Sequence, residues 1–129
     1  MTALFVGLLP WSTRGPEIEF ETDEGPVDLH NNARVERLTI TIAPESSALT
    51  LTFTYCDDWR ELDSRGRVVE LEFGGVKELK LETPSDYPPL AATSLEGISF
   101  QEISGQSYFD VDMDDVRCSF VADTLTFRG

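Results

Sequence analysis

The chain is predicted to be all-β: an antiparallel β-sandwich or flattened barrel of about eight or nine short strands, with little helix. Three observations predict it. Apolar and polar residues alternate with period two along most of the 129 residues, as half-buried strands require. Neighbouring segments fit registers that keep both faces consistent. Turn residues punctuate the strands at short intervals. No repeat, low-complexity tract or composition break divides the sequence, so residues 1–129 read as one domain.

The opening "MTALFVGLLPW" is apolar but lacks a basic leading region and a small-residue cleavage pattern. It is far shorter than the roughly 20 apolar residues of a membrane span, and is predicted to be a core strand or a tucked-in segment. In "PEIEFET", Ile18 and Phe20 point one way and Glu17, Glu19 and Glu21 the other. "VERLTITI" and "ALTLTFTYC" follow, with Leu38, Ile40 and Ile42 facing Leu49, Leu51 and Phe53. A "PESS" loop sets Ile42 opposite Leu49, Ile40 opposite Leu51 and Leu38 opposite Phe53. Thr41 then meets Thr50, and Thr39 meets Thr52, on the outer face.

"RVVELEF" and "VKELKLE" are expected to pair next. A tight turn at Gly74-Gly75 would mix their faces, so a longer loop or glycine bulge is predicted between them. Residues 83–94, "TPSDYPPLAATS", read as a long crossing loop with one helical turn in "PLAAT".

"SYFDVDMDDVRCSF" contains Asp110, Asp112, Asp114 and Asp115. As a calcium loop it fails: the glycine position holds Asp115 and the twelfth position holds Val121. As a hairpin turning at Asp114-Asp115 it succeeds without adjustment. Met113 faces Val116, Val111 faces Cys118 and Phe109 faces Phe120, all inward. Asp112 faces Arg117 and Asp110 faces Ser119, outward. A "SGQS" loop before it would set Phe100 opposite Val111 and Ile98 opposite Met113.

Charge narrows the function. Asp+Glu 24 against Lys+Arg 10 gives −14, which repels phosphate backbones and argues against nucleic acid or an anionic membrane as a partner. It attracts a basic protein, although such acidity also serves solubility alone. Catalysis finds no support. His30 is the one histidine, zinc ligands are not clustered, no phosphate-binding glycine loop is present, and nothing singles out two acids as a glycosidase pair. No cofactor and no structural metal are expected. With no export signal, Cys56 and Cys118 are expected as buried thiols in a reducing cytoplasm. In "YCDDWRELD", Asp57 and Asp58 precede Trp59. Trp59 is either a cap on the core at a strand end or an exposed anchor framed by charge, the arrangement that interfaces favour.

"VVELEFGGVKELKL", "LEGISFQEI" and "YFDVDMDDVRCSFVADTLTF", within residues 68–127, together resemble the strand pattern of small cytoplasmic immunity proteins from bacterial polymorphic-toxin systems. In several such families an alternating strand runs into a "GV-x-x-L" segment, and a closing hairpin ends in an S-F-x-A-like strand. The resemblance implies a non-enzymatic inhibitor that occludes a toxin domain, with an acidic surface over the basic cleft of a nuclease-type toxin. The expected contacts are Asp110, Asp112, Asp114 and Asp115, with Asp57, Asp58 and Trp59 as a second patch. The alternatives are a ligand- or carbohydrate-binding sandwich with Trp59 or Trp11 as a flat platform, and an accessory domain without a dedicated site.

Overall fold

A computed structural model describes residues 3–10, 16–83, 94–114 and 116–129. The described residues form eleven strands: β1 (Leu4–Val6), β2 (Glu19–Thr22), β3 (Gly25–Asp28), β4 (Ala33–Thr41), β5 (Ala48–Tyr55), β6 (Arg67–Gly74), β7 (Lys77–Glu82), β8 (Leu95–Ile103), β9 (Gln106–Met113), β10 (Val116–Val121) and β11 (Thr124–Arg128). A 3-10 turn (Trp59–Glu61) and the single helical turn α1 (Leu62–Arg65) separate β5 from β6. The strand count exceeds the expected eight or nine because β1, β2 and β3 are only three or four residues each.

The fold is an all-β sandwich. One sheet runs β1-β11-β6-β5-β4, the other β7-β10-β9-β8, and β2-β3 form a two-stranded ribbon. Every pairing is antiparallel except β1 with β11. The ribbon closes one side. It bonds to the chain after β1 through the Leu8–Thr22 bridge, and Glu17 just before it bridges to Ile98 of β8. Its inward residues Phe20 and Val27, with Leu29, join the core.

The β9–β10 hairpin has the predicted register: Met113 faces Val116, Asp112 faces Arg117, Val111 faces Cys118, Asp110 faces Ser119 and Phe109 faces Phe120. Asp115, expected in its turn, lies outside the described residues, as do Trp11 and most of the expected crossing loop at 83–94.

Two other hairpins keep the predicted faces but slip by two residues. Ile40 faces Leu49 and Leu38 faces Leu51, leaving Ile42 outside the ladder and 83% exposed. Pro44, with no amide hydrogen to donate, stands in the wider connection. A bulge at Val35–Arg37 then switches the inward set to Val35 and Ala33. Likewise Phe100 faces Phe109, and Ile98 faces Val111. The turn there is the two residues Ser104 (φ 52°) and Gly105 (φ 77°), whose positive φ values match the right-handed twist of a tight hairpin.

The expected β6–β7 pairing does not form. β6 lies between β5 and β11, while β7 pairs with β10 in the opposite sheet. Gly74-Gly75 therefore carries the chain across the sandwich. Gly75 has φ +65°, and a Cβ there would run into the Asp123 carboxylate.

Between the sheets, Phe109 of β9 lies against four rings: Phe73 at 5.0 Å, Phe100 at 5.2 Å, Phe120 at 5.8 Å and Phe5 at 6.4 Å between centroids. One of these packings is edge-on, two are tilted and one is stacked, geometries that suit the aromatic quadrupole. No helix among the described residues is long and apolar enough to cross a membrane.

Candidate binding face

The chain leaves β5 at Tyr55 and turns sharply. The Tyr55 hydroxyl donates to Asp57 at 2.7 Å. Burial, and then this carboxylate, push the phenol above its usual range. Asp58 caps the 3-10 turn, accepting from the Arg60 amide at 3.0 Å. It also grips the Arg60 guanidinium through Nε and Nη2, each at 3.0 Å. Those side-chain bonds, with the amide bond, hold its carboxyl below the ordinary carboxylate range. With both neighbours fixed, Trp59 projects outward and is 64% exposed. It does not cap the core. Behind it, Arg67 lies 5.5 Å over the Tyr55 ring and pairs with Glu24.

The two predicted patches share one end of the sandwich. The His30 ring nitrogen Nδ1 lies 2.6 Å from the carbonyl of Leu95, and Leu95 pairs with Met113 beside the hairpin tip. Two residues on, the Asn32 carbonyl accepts from the Cys56 amide at 3.0 Å, next to Asp57. His30 is thus a half-buried structural link between the sheets. Asp57, Asp58 and Trp59 form a continuous cluster, and exposed Asp114 stands at the same end.

Asp112 lies one step down the outer face of β9 and is paired with Arg117 at 3.2 Å. Asp110 lies further along that face, exposed, between Ser99 and Ser119. Asp57 and Asp110 pair with no cation among the described residues. The hairpin aspartates thus form a strip running away from the Trp59 cluster.

Both cysteines are free. Cys118 is buried as expected, and burial, then Asp110, push its thiol up to about 11. Cys56 is only partly buried because it follows β5 instead of lying within it. No three of the described His, Cys, Asp and Glu residues are grouped to hold a metal ion.

The packing of β1 against β8 and β9 opens a recess that alternation along the chain does not reveal. The recess, of about 1210 Å³, is lined by Phe5, Phe100, Tyr108 and Phe109, with Asp110 and Ser119 also on its wall. It depends on a contact between opposite ends of the chain.

No protein-family model matches the chain, and no curated protein matches it. A solved structure of an uncharacterized protein from Neisseria gonorrhoeae is similar at 18% identity, with a TM-score of 0.45, over 78% of this chain and 92% of that one.

Proposed function

We propose that this protein is a non-enzymatic inhibitor of the immunity type, acting in the cytoplasm by docking its acidic end against a basic toxin domain. The observation that carries this reading is Trp59, 64% exposed and framed by Asp57, Asp58 and Arg60 at the end where Asp114 also stands. A large aromatic held out by a capped turn costs little to order and buries much area on contact. The −14 charge speeds encounter with a basic partner and selects against acidic ones. Asp57, Asp58 and Asp114 sit where contact is made. Asp110 and Asp112 act at longer range, with Asp112 weakened by its Arg117 partner and Asp58 likewise by Arg60.

The test is co-expression and co-purification with a basic toxin-like domain encoded beside this gene. Rescue of growth and a complex on size exclusion support the reading. Neither rescue nor complex removes it for that pair.

The exposed indole beside carboxylates also favours a second reading, a sugar-stacking platform. Quenching or a blue shift of tryptophan fluorescence on glycan titration, lost in Trp59→Phe, would select it.

A further inference from the structure

Among the described residues the two sheets have four edges, and three are protected. β1 is three residues long and is flanked by the β2-β3 ribbon. β8 is bridged by Glu17. β7 carries Lys77 and Lys80 and is bulged, with Glu78 at φ 54°. Lysines and bulges are standard defences against edge-to-edge association.

β4 is different. Its first half is charged and bulged around Glu36, but Leu38-Thr39-Ile40-Thr41-Ile42 has no charge, no proline and no bulge. Among the described residues nothing pairs with its outer edge. Leu38 and Ile40 are only partly buried at the rim of the core, and Ile42 is 83% exposed.

We infer that the outer edge of β4 pairs antiparallel with β4 of a second copy, joining the two five-stranded sheets across a two-fold axis at Ile40. The segment is self-complementary about that residue. Ile40 meets its own counterpart, Leu38 meets Ile42, and Thr39 meets Thr41. The apolar residues of both copies fall on the core side and the threonines on the solvent side.

Charge points to a second copy over a basic partner. β4 and β7 together carry four of the 10 cations (Arg34, Arg37, Lys77, Lys80) but only three of the 24 acids (Glu36, Glu78, Glu82). Arg34 is paired with Glu36 and with Asp63 of α1, so this edge is near neutral, and two chains of −14 meet here with less repulsion than across an acidic face. A basic protein is drawn instead to the acidic surface elsewhere. The inference is independent of the proposed inhibitory role, and its salt response has the opposite sign. Salt screens the long-range repulsion between two acidic bodies and strengthens the dimer, whereas it weakens binding to a basic partner.

Sedimentation velocity on the full chain, over a roughly hundredfold concentration range up to ~100 µM, tests it. The expected result is reversible association toward twice 14.4 kDa, increasing with added sodium chloride. Ile42→Lys should weaken association at least about tenfold. Its urea midpoint at low concentration should be unchanged, because residue 42 lies outside the ladder. In a Cys56→Ser background, a nitroxide on Thr41→Cys should show strong dipolar broadening, removed by dilution with unlabelled chain. The two labelled backbones would lie about 8 Å apart in this register. A monomer at every concentration overturns the inference. So does a dimer indifferent to Ile42→Lys, or one without broadening at position 41.

Discussion

Phe109→Ala removes the ring at the centre of the aromatic cluster. Phe109 is 2% exposed and contacts Phe5, Phe73, Phe100 and Phe120, so its deletion touches both sheets and β1. Large-to-small core changes of this kind cost about 3–5 kcal/mol. The upper half of that range is expected here, because the four rings are held on separate strands and cannot collapse together into the gap. A loss of ~4 kcal/mol would lower Tm by more than about 10 °C. Phe109→Leu, which keeps most of the volume, should cost under about 2 kcal/mol. Urea denaturation followed by far-ultraviolet circular dichroism gives both values, provided the slope with denaturant is unchanged. A loss below about 1 kcal/mol for Phe109→Ala would refute the packing described between the sheets.

Phe120→Ala, on the adjoining strand, should also lose about 3–5 kcal/mol, which urea titration measures. Trp59→Ala should leave stability within about 1 kcal/mol of wild type, because the indole is 64% exposed. The same change should cost about 2 kcal/mol or more in partner binding, read by calorimetry against the melting curve. Gly105→Ala places a Cβ at φ 77° and should destabilise by about 1 kcal/mol, measured by the same urea assay. Cys118, raised to about 11 from 9.0, favours the folded state fully below pH 9. That stabilisation fades as pH rises through 11, by at most ~3 kcal/mol. Cys118→Ala should remove this part of the alkaline slope, and native Cys118 should resist a thiol reagent at neutral pH while Cys56 reacts faster.

How far alternation could be read varied along the chain for identifiable reasons. The β9–β10 hairpin was recoverable because its inward residues and the Asp112–Arg117 pair demand the same register. For β4–β5 and β8–β9, a slip of two leaves every side chain on its face. The register there is set by the Ser104-Gly105 turn and by the Pro44 connection, which alternation does not weigh. The expected β6–β7 pairing does not form because strands adjacent in sequence are not adjacent in space here: Gly75 sends the chain to the opposite sheet. The pairing of β1 with β11 joins residues more than a hundred positions apart and leaves no local trace. At the candidate site, the residue types around Trp59 were evident, but its exposure depends on Asp58 capping the turn. That Asp57 and Asp114 share one end depends on the His30–Leu95 and Asn32–Cys56 bonds.

The proposed function has the end bearing Trp59 as the docking face for a basic domain. The measurement that tests it most directly is the association rate with the basic toxin-like domain encoded beside this gene, for wild type and for Asp57→Asn, Asp58→Asn, Asp114→Asn combined. Asparagine at position 58 still caps the 3-10 turn, so the fold is kept while three charges are removed. The expected result is an on-rate at least about tenfold lower and a shallower salt dependence, with the off-rate changing less. An on-rate and salt slope equal to wild type, or no complex at all, would contradict it.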